Sequence, residues 1–477
     1  MKQLYVGGTW VPGSGEREVR SPWDDRIVGS VALAGAQEIE AALAAASNAR
    51  PDLARSTAFE RAAWLEAIAR GIREREADFI DTLVAEGGKP VRFARGEVAR
   101  AIETFTFAAA EVRTLAGEVL PLDAAKNGSG RIGIARRVPA GVVTAITPFN
   151  FPLNLVAHKM APALAAGCPL VLKPPDETPL CSLMLAEIVS GLDVPAGGVN
   201  VVPCEVEDAR PLVEDPRPAV LSFTGSAAVG WSLKAKAGRK RVLLELGGNA
   251  AAVVHSDADL ELAAERCALG AFAHAGQVCI SVQRIYVHAP VYERFVEALV
   301  ARTQALGVGD PRDEETVVGP LRADRDVERV MAWMAQAEAA GGRRRCGGVR
   351  DGRVLTPSVW TDVPETQPLA CDEVFGPVVV VYPYERFEEA LRRVNASEYG
   401  LQAGVFTRDV GRLWHAFEAL EVGGVIHDDA PTFRVDPMPY GGVKKSGLGR
   451  EGLRYAIEAM SEIRLLVMRP GAGATGA

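Results

Sequence analysis

The sequence predicts an α/β protein built on a doubly wound, parallel-sheet nucleotide-binding core. Five short, continuously apolar runs at 142–147, 170–173, 199–202, 220–223 and 242–246 alternate with helix-like stretches at 153–166, 180–192, 205–213 and 227–237. Strands with no polar face must be covered on both sides, which implies a parallel sheet between helix layers. A second α/β unit follows from Asn249 to about Lys445. With 477 residues, each unit is long enough to bury its own core.

The elements follow in order. Gly7-Gly8-Thr9-Trp10 reads as a hairpin turn. Thr57 and Glu60 form a capping box; Trp64, Leu65, Ile68 and Ile72 then recur at helical spacing, and Gly87-Gly88 with Pro90 signals the stop. A second helix is expected over 97–113. Residues 117–122 and 132–136 flank a turn at Asn127-Gly128-Ser129-Gly130, a hairpin inserted between helices. Past the second unit, a glycine-rich loop at Gly441-Gly442 feeds a helix over 451–460, a last strand is expected at 463–468, and the small-residue tail 471–477 reads as flexible. The expected organisation is a cofactor domain (1–117 and 137–247), a catalytic domain (248–445) and an arm (118–136 and 461–470).

Composition narrows the function. Net charge is −8, so nucleic acid and anionic membrane lack a basic footprint. No signal-peptide core and no apolar run of transmembrane length occurs. Seven cysteines without C-x-x-C pairs or histidine partners suit free thiols in a cytoplasmic protein with no metal.

Chemistry concentrates at two places. Cys279, in Gly276-Gln277-Val278-Cys279, sits among small residues that leave its sulfur approachable; Glu245 ends an apolar run and is followed by Leu246 and Gly247-Gly248. A thiolate nucleophile and a carboxylate base are the minimal kit for covalent acyl chemistry. Alone, each also fits a blander role, as a small buried hydrophobe or a solvated strand cap. Thr224-Gly225-Ser226, a turn between strand and helix with Gly230 one turn on, offers free N–H groups for a diphosphate. Lys173 and Asp176, just past another strand, suit ribose hydroxyls.

Seven motifs in order give the chain a resemblance to the aldehyde dehydrogenase superfamily over nearly its whole length: Thr147-Pro148-Phe149-Asn150, Lys173-Pro174, Phe223-Thr224-Gly225-Ser226, Glu245-Leu246-Gly247-Gly248, Gly276-Gln277-x-Cys279, Glu373-x-Phe375-Gly376-Pro377 and Pro439-x-Gly441-Gly442-x-Lys444. The resemblance implies that Cys279 attacks an aldehyde, that Asn150 and the Cys279 N–H hold the oxyanion, and that Glu245 activates the water that hydrolyses the thioester. It implies a cofactor site including Thr147, Pro148, Phe149, Lys173, Asp176, Gly225, Ser226, Gly230, Leu246, Gly247, Glu373 and Phe375. NAD is expected over NADP because Asp176 would repel a 2′-phosphate. The arm implies a homodimer or homotetramer. His158 and Arg434 fall where the family lines its substrate tunnel, which suggests a small polar aldehyde and, through the arginine fork, an anionic one. The rival readings are an enzyme for neutral aldehydes or semialdehydes, a CoA-acylating enzyme (which Glu245 argues against), and a nucleotide-binding protein without turnover.

Overall fold

The computed structural model describes residues 1–469; the expected tail at 471–477 lies outside the described residues. Its first large sheet has eight strands, in the order Thr9–Val11, Leu4–Val6, Val199–Val201, Leu170–Lys173, Val142–Ile146, Pro218–Thr224, Arg241–Glu245 and Gly447–Leu448. The five central strands pair in parallel. Chain order runs outward from Val142–Ile146 in one direction and from Pro218–Thr224 in the other. The gap between these two is therefore a topological switch point, where loops diverge and leave a crevice at the carboxyl ends of the strands.

Helices Ala58–Glu74, Val91–Thr114, Asn154–Ala166 and Leu180–Ser190 supply one apolar layer over this sheet. Leu65, Ile68 and Ile72 are fully buried along one face of the first. Each such side chain contributes about 1.5–3 kcal/mol relative to exposure. Two buried carboxylates fix helix starts. Glu97 accepts the Leu153 and Asn154 N–H groups at 3.0 Å each, and Glu86 accepts those of Leu180 and Cys181. An anion at a helix N-terminus satisfies orphan donors and complements the dipole. Glu97 thereby anchors the helix whose first turn reaches the site, and Lys89 neutralises it.

The second sheet has seven strands, ordered Arg343–Cys346, Ser358–Thr361, Val378–Tyr384, Val282–His288, Ala250–Val254, Gln402–Phe406 and Gly424–His427. Only the Arg343–Cys346 pairing is antiparallel. Glu118–Leu120, Ile132–Pro139 and Ser461–Met468 form a separate antiparallel sheet.

Several boundaries differ from expectation. The Thr57 capping box is present, but its helix ends at Glu74; Arg75 leaves helical geometry and a separate helix, Glu76–Gly87, carries the glycine stop. The second helix starts earlier, at Val91, because Pro90 supplies its N-cap and Pro lacks only an N–H that would be unsatisfied there. Of the helix expected over 205–213, only Arg210–Glu214 forms. Among the described residues, no helix is long and apolar enough to cross a membrane.

Candidate active site

A cavity of about 400 Å³ opens at the switch point, between the two large sheets. Three parallel strands aim their carboxyl ends at it. Val142–Ile146 delivers Pro148, Phe149 and Asn150; Pro218–Thr224 delivers Thr224, Gly225 and Ser226; Arg241–Glu245 delivers Glu245, Leu246 and Gly247. The second unit contributes Cys279, Glu373 and Phe375. The motif residues are far apart in sequence, and the crevice gathers them.

Cys279 follows a strained turn: His274, Ala275 and Gly276 are all left-handed, with φ of 52°, 56° and 69°. Two of the three carry a Cβ, and each such residue costs about 1–3 kcal/mol. At Gly276 glycine is required, since a Cβ would lie 2.3 Å from the Gly376 carbonyl oxygen. The turn delivers the Cys279 thiol to the cavity, where its Sγ lies 3.0 Å from the Tyr440 hydroxyl. Burial pushes this thiol up to about 11, against the pull of the Tyr440 hydrogen bond and the Arg434 charge. In the resting protein it is a thiol, not a thiolate. Asn150 donates through Nδ2 to the Gln277 carbonyl at 2.9 Å. A carboxamide NH2 has two hydrogens, so the second remains free for another acceptor.

Three carboxylates, Glu245 and Glu373 on the cavity wall and Glu451 behind it, are held in different states. Glu245 is raised well above the ordinary carboxylate value by burial and by Glu451, and its Oε2 has no partner. Burial pushes Glu373 up to about 7, opposed by the Gly248 N–H that it accepts at 3.1 Å. Gly247 permits that approach: a Cβ there would lie 2.1 Å from Glu373. Burial also acts on Glu451, but Lys159 and Arg434 overcome it and hold this carboxylate low. Lys159 Nζ donates to Glu451 Oε1 at 2.5 Å, and Arg434 Nη2 donates to Glu451 Oε2 at 2.9 Å.

Arg434 lines the cavity, its guanidinium 3.6 Å above the Tyr440 ring centre. His158, expected on the wall, does not reach it. It is buried behind Arg434, with Nε2 3.3 Å from both Arg434 Nη2 and Asp436 Oδ1. Asn154 and Leu155, about one turn earlier, take the wall position. Burial and the Arg434 charge depress the imidazole, which packs behind the arginine. Sequence reasoning also missed Arg100, which lines the cavity and lies 3.4 Å from Asp436. Its Nε is buried without a partner. The signal was there, in a helix face bearing an arginine one turn after Glu97, but only the fold says what that face meets.

The residues fit a dinucleotide. Thr147 and Thr224 have buried hydroxyls without partners. Ser226 occupies the N-cap position of the helix Ala227–Lys236 without a side-chain capping bond, and Gly230 of that helix allows close packing, since a Cβ would lie 2.3 Å from Leu246. A second cavity of about 520 Å³ shares Phe149 with the first and is lined by Arg17 and Asp176. Asp176 is not free there: Lys173 lies 2.5 Å and Arg17 3.3 Å from it.

A sequence profile described as the aldehyde dehydrogenase family matches residues 10–466. The chain belongs to the aldehyde dehydrogenase family. It is 42% identical over 466 residues to a 3-sulfolactaldehyde dehydrogenase of Priestia aryabhattai, covering 98% of this chain and 97% of that one. The structure of aldehyde dehydrogenase 21 from Physcomitrella patens, in complex with the reaction product succinate, superposes with a TM-score of 0.97 at 41% identity over 99% of both chains. A glyceraldehyde-3-phosphate dehydrogenase of Methanocaldococcus jannaschii complexed with NADP gives 0.92 at 37% identity, covering 96% and 100%. This protein is thus an NAD(P)-dependent aldehyde dehydrogenase, with the doubly wound α/β fold expected of one.

Proposed function

We propose that this aldehyde dehydrogenase oxidises a small aldehyde carrying an anionic group to the corresponding acid. The observation that carries the reading is the pair of guanidiniums, Arg434 and Arg100, on the wall of the cavity that holds Cys279. Arginine forks bind carboxylate or sulfonate with paired, charge-assisted hydrogen bonds. Relatives named for sulfolactaldehyde, and a neighbour holding succinate, support the same substrate class.

Cys279 Sγ bonds to the aldehyde carbon as its proton passes to solvent and the carbonyl electron pair moves onto oxygen, giving a thiohemiacetal oxyanion. The Asn150 amide and the Cys279 N–H hold the oxyanion; one such donor is worth about 10²–10³ in rate. When bound, a nicotinamide would supply the two-electron acceptor for the hydride, and Cys279 would then hold the acyl group as a thioester. Glu245, in its carboxylate form, takes a proton from the attacking water; the C–S bond then breaks, and that proton passes to the leaving sulfur as the acid departs and the thiol is regenerated. Glu373 and Phe375 would hold the nicotinamide ribose and ring, Gly225 and Ser226 the diphosphate, and Lys173 with Asp176 the adenosine ribose. Asp176 favours NAD over NADP, although Lys173 and Arg17 offset part of its charge. The arm would join protomers as a homodimer or homotetramer, because Ile463, Leu465, Leu466 and Val467 leave an apolar row exposed on its edge. A monomer mass in light scattering would count against that arm role.

The test is steady-state kinetics on matched anionic and neutral aldehydes, with each cofactor. Arg434→Ala is expected to raise KM for the anionic set by roughly 10–100-fold, the loss of a hydrogen-bonded charge pair, and for the neutral set far less. Equal losses on both sets would sink the anion pocket; a higher kcat/KM with NADP would sink the cofactor preference.

A further inference from the structure

A third cavity, of about 360 Å³, lies away from the catalytic crevice, where the arm meets the helical layer. Its walls hold four arginines, Arg55, Arg61, Arg136 and Arg137, together with Ser56, Thr57 and Ser461. Among the described residues, no carboxylate lines it. Elsewhere on this chain arginines are mostly paired, and two of these four are too. Arg55 meets Asp52 at 2.5 Å, on the surface, and Arg137 meets Glu458 at 3.3 Å. The other two are different. Among the described residues, neither Arg61 nor Arg136 forms an ion pair, and Arg61 Nε is buried without any hydrogen-bond partner. A buried guanidinium donor without an acceptor costs roughly 1–3 kcal/mol or more. The adjacent Thr57 hydroxyl is engaged at the helix start instead, accepting from Glu60 N at 3.2 Å and donating to Glu60 Oε2 at 2.8 Å. Burial pushes the Arg61 pKa down, and the Arg136 charge adds to that push. Arginine nevertheless keeps its proton, so the charge stays.

We infer that this cavity is a binding site for a small multivalent oxyanion, of the phosphate or sulfate class, held by Arg61 and Arg136. Such an anion supplies acceptors on several sides at once, which matches guanidiniums converging from a helix and a strand. Its room exceeds a bare oxyanion, so an organic phosphate or sulfonate of a few carbons fits the same chemistry. The site is coupled to the catalytic cavity by one rigid element. Ala166, the last residue of the helix Asn154–Ala166, lines this pocket, whereas Asn154 and Leu155, at its start, line the other.

The experiment is titration of the full-length, cofactor-free protein with inorganic phosphate at constant ionic strength, by calorimetry, beside crystals soaked in selenate for anomalous scattering. Wild type is expected to bind saturably, with selenate density between Arg61 and Arg136. Arg136→Gln, an exposed strand substitution that leaves the fold intact, should weaken phosphate binding by roughly tenfold or more, the effect of losing one charged hydrogen-bond donor. Arg61→Gln should do the same. Arg100→Gln, in the catalytic cavity, should leave the selenate density between Arg61 and Arg136 in place. Weakening by Arg100→Gln alone would place the phosphate in the catalytic cavity and overturn the inference. So would binding no better than chloride, or a carboxylate of a second copy filling the pocket in the crystal. The substrate reading does not depend on this site, because it is tested by aldehyde kinetics on Arg434→Ala.

Discussion

Glu245 and Glu451 are the same side chain, both nearly fully buried on the same cavity region, and they are driven in opposite directions. Glu451 sits between two cations, Lys159 and Arg434, and ionises easily. Glu245 has an unpartnered oxygen and faces the charge that Glu451 carries, so it holds its proton far more tightly. Burial is common to both; partners decide. One carboxylate is thereby made a fixed charge that orients the anchoring arginine, and the other is made a group that holds its proton well above the ordinary carboxylate range.

Replacing Glu245 tests the mobile half of this contrast and should have the largest effect. Glu245→Gln is expected to lower kcat by about 10²–10⁴, the usual worth of a positioned base. A stoichiometric burst of reduced nicotinamide should survive, with an acyl adduct on Cys279 detectable by mass spectrometry. Loss of the burst would reassign Glu245 to the thiol's proton. The same variant reads the pKa. A carboxyl raised on folding loses stability as pH climbs from the unfolded value, about 4.3, towards the folded one. Glu245→Gln should therefore melt higher than wild type at pH 8 and equally at pH 4.

The fixed half breaks at Lys159. Lys159→Met leaves Glu451 with only Arg434 and should cost about 3 kcal/mol in urea unfolding at pH 7, the scale of a broken buried pair. The sign with pH is opposite to that of Glu245. Glu451 is held low on folding, so its contribution is present above the unfolded value of about 4.3 and is lost as pH falls below it. The gap between variant and wild type should close on acidification. A gap independent of pH would mean that the lysine acts by packing alone.

What the sequence made legible divides along similar lines. The core strands announce themselves because parallel strands between helix layers have no polar face, and Cys279, Glu245 and Asn150 sit in short motifs at strand ends or tight turns, where local chain geometry does the positioning. Arg100 and Glu451 are brought in by tertiary packing from a helix and a loop, and Tyr440 is the variable residue inside Pro439-x-Gly441-Gly442; linear spacing places them on a face or in a loop but does not say what they meet. Lys159 was nearer to being readable. A lysine inside the apolar helix Asn154–Ala166 must be paired when buried, although the pairing partner lies 292 residues away. His158 misled for a related reason: helical position predicts which residues share a face, and a shift of about one turn put Leu155 on the wall in its place.

Tyr440 carries the smallest effect and separates two influences on the thiol. Burial raises Cys279 to about 11, and the Tyr440 hydroxyl at 3.0 Å works against that by stabilising the thiolate. Tyr440→Phe keeps the ring under Arg434 and removes only the hydroxyl. The thiol pKa should rise further, and since alkylation proceeds through the thiolate, iodoacetamide should label Cys279 a few-fold more slowly at pH 8, the yield of a single modest hydrogen bond of about 1 kcal/mol. Labelling should also climb about tenfold per pH unit from 7 to 9 in both proteins, because both thiols titrate well above that range. Faster labelling of the variant would show that the hydroxyl accepts from the thiol and restrains it, which would leave Arg434 as the main group drawing the sulfur towards its charged form.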